Sequence, residues 1–175
     1  MKLVVGISGA SGVELGLKFI KYLPKNIEVF VTVTKSAKVV FEKENNIKEI
    51  FDNSKIEASI SSGSFGVDAT AIIPCSMNTL AKISCGIADN LVTRVASVAI
   101  KEQKKLLLAP RELPFSPIAL ENMLKLSHLG IIISPPVMGY YSNSDSLEDM
   151  EKFIIGKWYD SLNIEHDLYK RWEGK

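Results

Sequence analysis

Cysteine is scarce in this chain: Cys75 and Cys85 are the only two in 175 residues. Two thiols without a CxxC spacing supply neither a disulfide framework nor a zinc site, and they point to a reducing compartment. Long apolar runs are missing too, since none reaches the roughly 18 residues that a membrane-spanning helix needs. Neither sign of charge dominates: 21 Lys and Arg stand against 20 Asp and Glu, a formal charge of +1. That balance removes any general electrostatic case for nucleic acid or an anionic membrane. Met1 leads straight into a strand with no leader-like apolar region before it, so the expected setting is the cytoplasm. Two nucleotide signatures are lacking as well: the GxGxxG fingerprint of dinucleotide folds and the GxxxxGKS/T phosphate loop. His128 and His166 have no nucleophile or metal-ligand partner at a useful spacing, so no metal site is expected. Repeats, low-complexity runs and an interdomain linker are absent.

What is present is the material of one globular core, 46% apolar and 23% charged. Short apolar runs at Lys2 to Ile7, Glu28 to Thr34, Ala69 to Ile73, Lys105 to Ala109 and Ile131 to Ser134 read as strands. Helical spacing covers Val13 to Leu23, Ala37 to about Asn45, Asn78 to about Ile87, Leu91 to Glu102, Ser116 to Leu129 and Leu147 to about Leu162. Ile47 to Phe51 reads as a short amphipathic piece. Asp52 to Ser64 reads as a Ser-rich functional loop with a short strand near Ile56. Strands that alternate with helices predict a single α/β domain over residues 1–175. It is Rossmann-like, with an open, mostly parallel sheet and helices on both faces.

In such sheets a ligand sits beyond the carboxyl ends of the strands. The first of these ends is GISGASG, Gly6 to Gly12, where an apolar strand runs through a glycine- and serine-rich turn into a helix. The turn is either a tight connection or an anion cradle. Its glycines and serines exceed what a connection requires, and free N–H groups at a helix start attract phosphate. The second strand ends in Thr34-Lys35, without the acid that would hold a dinucleotide ribose. PCSMNT, Pro74 to Thr79, either caps the helix it opens or hydrogen-bonds a phosphate or ring. Arg111-Glu112 follows Pro110 at a strand end. It is either a surface pair or part of a site, with Arg111 suited to planar contact and Glu112 to proton transfer. Arg94 and Lys101, seven apart, share one helix face. They and Lys157 read first as solvated cations.

Six segments together resemble the UbiX family of flavin prenyltransferases, nearly end to end: GISGASG, ASISSGSF (Ala58 to Phe65), PCSMNTLAKI (Pro74 to Ile83), RVASVAIKE (Arg94 to Glu102), PRELPFS (Pro110 to Ser116) and PPVMGYY (Pro135 to Tyr141). The resemblance implies reduced FMN as prenyl acceptor, dimethylallyl monophosphate as donor, and bonds from the prenyl group to flavin N5 and C6, with no metal. The product, prenylated FMN, would serve UbiD-type decarboxylases. A homo-oligomer, a dodecamer with sites between subunits, is implied as well. Position by position, Gly9, Ala10 and Ser11 match the flavin-binding turn, and Thr34 stands where family members often carry Ser. Ser76, Met77, Asn78 and Thr79 match a flavin-binding segment in which Asn78 replaces a common Lys. Arg111 matches a flavin-contacting Arg. Arg94, Lys101, Glu112, Tyr141 and Lys157 match residues around the prenyl phosphate, Lys157 where many members have Arg. Glu44 matches an acid that assists proton movement near the flavin.

These residue types suit the implied chemistry. A monophosphate is a poor leaving group, so cations and a donated proton must stabilise its departure. On the resemblance, Lys101, Tyr141 and Lys157 form the phosphate cradle and Glu112 is the proton shuttle. The released phosphate, held by Ser11 and Glu112, is a candidate base for the C6 proton. Two alternatives stay open. An FMN-dependent cysteine decarboxylase would need a catalytic His after the second strand, where this chain reads TKSAKVVF. A non-catalytic flavin-binding protein would not need Lys101, Glu112 or Lys157.

Overall fold

The structure, a computed structural model, describes residues 1–34, 46–140 and 146–171. Six parallel strands form one sheet: β1 (Lys2–Ile7), β2 (Glu28–Val33), β3 (Ile47–Asp52), β4 (Ala69–Cys75), β5 (Lys105–Pro110) and β6 (Ile132–Ile133). Their spatial order is β3-β2-β1-β4-β5-β6. The helices are α1 (Val13–Lys21), α2 (Met77–Ser84), α3 (Leu91–Lys101), α4 (Pro117–His128) and α5 (Leu147–Leu162). The expected Rossmann-like sheet with helices on both faces is therefore observed.

The near-continuous apolar sequence of the central strands follows from burial on both faces. Leu3, Val5 and Ile7 of β1 pack with Phe19 and Ile20 of α1 and with Ile155, Trp158 and Tyr159 of α5. Val4 points the other way, into a cluster with Phe30, Ile60, Leu91 and Val95. Beside it, Ile72, Leu106 and Leu108 pack under Leu80, Val92, Ala96 and Leu126 from α2, α3 and α4. Two polar anchors fix α5. The Trp158 indole N–H donates to the Ser134 carbonyl and hydroxyl, both at 3.0 Å, and the Tyr159 hydroxyl donates to the Phe19 carbonyl. Beyond α5 the tail folds back onto Asp160, which accepts from the Tyr169 hydroxyl, from Arg171 at 2.8 Å and from His166 Nε2 at 3.1 Å. The Leu168 N–H donates to His166 Nδ1, which leaves the ring proton of neutral His166 on Nε2. Burial pushes the Asp160 carboxyl up, but these donors outweigh it and hold the group at about 2.

Two expectations are corrected. Ile47 to Phe51 is no separate amphipathic piece but most of β3, paired with β2 at the edge of the sheet. Its residues are half-buried or exposed, so the buried apolar run that marks β1, β2, β4 and β5 is missing. Near Ile56 there is a turn, not a strand, with Lys55 N–H on Asp52 O and Ala58 N–H on Lys55 O, each at 3.0 Å. Two 3-10 turns follow, Ser59–Ser61 and Gly63–Phe65. The helix expected over 37–45 lies outside the described residues.

One glycine sets how closely α1 approaches the sheet. A Cβ on Gly16 would overlap the Ile73 carbonyl oxygen and lie 3.2 Å from its carbon, so only the bare Cα lets α1 lie this near β4. Gly16→Ala should therefore destabilise the protein by about 1–3 kcal/mol, as overpacking against backbone does. Urea denaturation should show a lowered midpoint with an unchanged slope, and a wild-type midpoint would show that α1 is free to move away.

Candidate functional site

The strand order reverses between β1 and β4, which places a crevice beyond their carboxyl ends. One fully buried side chain ties the two loops there. Ser8 Oγ donates to the Pro74 carbonyl at 2.9 Å and accepts from the Ser76 N–H at 2.7 Å, while the Ser8 N–H also donates to the Pro74 carbonyl at 3.2 Å. Both capacities of the hydroxyl are used, so the loops after β1 and β4 are held in one relative position.

The helix that opens from this crevice has no side-chain cap. Gly12 occupies the N-cap of α1 at φ 96°, ψ 18°, and no side chain accepts from the first turn. Each of the other four described helices is capped, by Ser76, Asn90, Ser116 and Ser146. The first-turn N–H groups of α1 therefore open on the crevice without a side-chain acceptor, and Glu14 is the acidic residue of that turn. Gly9 and Ser11 are exposed beside them and Ala10 is half-buried. A cavity of about 70 Å³ lies against this turn, lined by Gly12, Pro74, Arg111, Pro136 and Trp158 among others. The end of β4, segments after β1, β5 and β6, and one residue of α5 thus converge on one place.

The expected residues fall into three groups. Gly9, Ala10, Ser11, Thr34, Ser76, Met77, Asn78, Thr79, Arg111 and Glu112 all lie at the carboxyl edge, on segments that follow β1, β2, β4 and β5. Thr34 is tied to β1 through its N–H on the Ile7 carbonyl at 3.0 Å. The capping role of Ser76 and Thr79 is realised: the Thr79 N–H donates to Ser76 Oγ at 3.2 Å, and Ser76 Oγ donates to Thr79 Oγ1 at 3.0 Å. Asn78, by contrast, is exposed on the first turn of α2. Arg111 and Glu112 are exposed, and Glu112 Oε1 accepts from the Leu113 N–H at 3.2 Å.

Of the second group, Arg94, Lys101 and Lys157, the chain's own fold carries Lys101 away from this edge. Lys101 ends α3, directly before the chain returns to the amino end of β5 at Lys105. With eleven residues rising about 1.5 Å each, α3 carries Lys101 towards the opposite edge of the sheet, whereas Arg94 stands on its first turn. Lys157 is half exposed on α5, its ammonium 3.9 Å from Asp160, while its neighbour Trp158 turns into the cavity. The third group, Glu44 and Tyr141, lies outside the described residues. Sequence reasoning left Ser8, Gly16 and Trp158 without a role. Ser8 sits inside the singled-out turn, but its hydroxyl looks like that of Ser11 until the partner strand is known.

Among the described residues no cluster of three or more His, Cys, Asp or Glu is placed to hold a metal ion. No described helix is long and apolar enough to cross a membrane.

The Flavoprotein family model matches residues 1–158. The flavin prenyltransferase UbiX of Helicobacter pylori (strain ATCC 700392 / 26695) is 53% identical over 184 residues, covering 98% of each chain. Among solved structures, the dodecameric FMN-dependent UbiX-like decarboxylase from Escherichia coli O157:H7 superposes with a TM-score of 0.93 at 37% identity, covering 99% of this chain and 100% of that one. AnUbiX in complex with FMN and dimethylallyl pyrophosphate gives 0.92 at 33% identity, covering 99% and 98%.

Ser8→Ala removes the buried hydroxyl that accepts from the half-buried Ser76 N–H and donates to the Pro74 carbonyl, and should cost about 1–3 kcal/mol. The measurement is equilibrium denaturation beside Ser11→Ala, which touches an exposed hydroxyl and should stay near wild type. Equal losses in the two variants would contradict the pinning role of Ser8.

Proposed function

Because the chain belongs to the flavoprotein family, within its UbiX flavin prenyltransferase branch, we propose that it joins a dimethylallyl group from dimethylallyl monophosphate to N5 and C6 of reduced FMN. The observation that carries this reading is the uncapped start of α1 in a crevice pinned by Ser8, with Arg111 and Glu112 beside it. An anionic ligand with a planar ring fits that set. The N–H groups of α1 suit the FMN phosphate, and the exposed Ser11 and Asn78 add hydrogen-bonding groups at the rim. The Arg111 guanidinium, which lines the cavity, suits the ring system. Bound in reduced form, the flavin supplies the nucleophilic nitrogen and the ring carbon that the prenyl group joins.

The remaining chemistry belongs to the protein. Glu112 delivers a proton to the departing phosphate, which lowers the charge that leaves. Arg94, Lys101, Tyr141 and Lys157 neutralise or hydrogen-bond that phosphate, and Glu44 assists proton movement near the flavin. The product, prenylated FMN, is used by decarboxylases of the UbiD type.

Lys101 reaches this phosphate from a neighbouring copy. Its own α3 carries it away from its own crevice, so a homo-oligomer is part of the site. The apolar exterior supports this. Leu113 is 88% exposed, Ile118 72% and Leu129 60%, a concentration around α4 that a monomer rarely leaves in water. The dodecameric assembly of the Escherichia coli relative is a closed arrangement of the kind this geometry requires.

Anaerobic incubation with reduced FMN and dimethylallyl monophosphate, followed by mass spectrometry of the flavin, should show the prenyl adduct. Glu112→Gln should bind FMN normally and lose turnover by about 10²–10⁴-fold, the range of general-acid contributions. FMN bound with no adduct in the wild type would overturn the transferase reading, and normal turnover in Glu112→Gln would overturn the proton role.

A further inference from the structure

The Ser-rich loop has no part in the chemistry above, yet it makes one specific contact. The Lys101 ammonium is bonded to the Glu102 carboxylate. Adjacent residues on a helix do not face each other. The pair forms because Glu102, at the C-cap of α3, has left the helical path (φ −84°, ψ 3°) and its side chain lies across the loop. That seat is the bare backbone of Gly63. A Cβ there would overlap Glu102 Oε1 and come within 2.6 Å of Cδ and 3.1 Å of Cγ. Gly63 and Glu102 also line one small void of about 10 Å³, with Ser62, Val98 and Lys104.

The loop that carries Gly63 is itself fixed. Ile60 is buried with Val4, Phe30, Leu91 and Val95. Phe65 stacks edge-on against Phe30 at 5.1 Å, and Lys2 Nζ donates to the Phe65 carbonyl at 2.9 Å. A carboxylate at a helix C-terminus faces the negative end of the helix dipole, a poor place for it unless cations compensate. Here the Lys101 hydrogen bond, followed by the charges of Lys101 and Lys104, holds the Glu102 carboxyl below its usual range and keeps it ionised. An exposed pair of this kind adds little to stability. Its effect falls on the lysine, a long side chain with much rotamer freedom to lose when it meets a phosphate.

We propose that Glu102, seated on Gly63, is a positioning residue that pre-orients Lys101 for the prenyl phosphate. The inference rests on the reading that Lys101 meets that phosphate. An ammonium has three N–H donors. The carboxylate takes one and leaves two for the substrate, so Glu102 orders the lysine without displacing the ligand. The SISSGSF loop is then the foundation of a phosphate contact made in a neighbouring copy.

The test is steady-state kinetics on intact oligomers of Glu102→Gln, Gly63→Ala, Lys101→Ala and the double variant Lys101→Ala/Glu102→Gln, with FMN affinity, oligomer size and thermal midpoint measured alongside. Glu102→Gln should raise KM for dimethylallyl monophosphate about fivefold to tenfold, the scale of one ordered long side chain, with kcat and FMN affinity near wild type. Gly63→Ala should do the same, and Glu102→Gln should add nothing once Lys101 is gone. If Lys101→Ala raises KM while Glu102→Gln leaves it unchanged or lowers it, the positioning role is overturned and the phosphate reading stands. If Lys101→Ala itself has no effect, the phosphate reading of Lys101 fails, and the inference with it. Should Gly63→Ala fail to assemble, Glu102→Gln and the double variant decide alone.

Discussion

The hydroxyl of Ser8 joins two loops that the topology sends apart. In a doubly wound sheet the connections from β1 and β4 leave towards opposite faces, and the gap between them is where a ligand enters. A gap alone is not a site, because two loops free to move would present their N–H groups at varying distances. Ser8 removes that freedom by donating to the Pro74 carbonyl at the end of β4 and accepting from the Ser76 N–H just beyond it. Gly16 contributes the complementary constraint by letting α1 lie directly on the β4 backbone. With loop and helix both fixed to β4, the uncapped start of α1, Arg111 and the cavity beside Trp158 acquire a defined geometry.

Much of this was legible in the sequence, and the reason is burial. Four of the apolar runs, those of β1, β2, β4 and β5, were readable as strands because burial on both faces demands continuous apolar residues, and the short edge strand β6 was readable from its run of Ile131, Ile132 and Ile133 ahead of Pro135. The edge strand β3 was not, since its half-exposed residues carry no such demand. α5 was legible as a helix over Leu147 to about Leu162, and it buries Phe153, Ile154, Trp158 and Leu162 among others. The turn at GISGASG was legible as a candidate anion site, but its division of labour was not. Ser8 and Ser11 are the same residue type three positions apart, and only the pairing of β1 with β4 makes one a buried bridge and the other a rim hydroxyl.

Lys101 shows a different limit. The resemblance places it at the prenyl phosphate, but the direction in which the fold carries it was not legible. A helix that returns to the start of the next parallel strand carries its last residues to the amino edge of the sheet. Sequence spacing put Arg94 and Lys101 on one helix face, and both lie on α3, Arg94 in its first turn and Lys101 at its end. The same two-edged arrangement explains why the chain presents so much apolar surface around α4. On the proposed function one copy offers the flavin crevice and another the lysine, and the surfaces between them must be covered for the two to meet.

The claim that a complete site needs two copies is tested most directly by subunit mixing. Lys101→Ala and Glu112→Gln chains, each defective alone, are co-expressed in equal amounts and assayed for the prenyl adduct. If Lys101 crosses to a neighbour's crevice, about a quarter of the sites in random mixed oligomers pair an intact Lys101 with an intact Glu112, and activity returns to that level. Mixed oligomers that form but remain as inactive as their parents would contradict the account, because they would place Lys101 and Glu112 in the same chain's site.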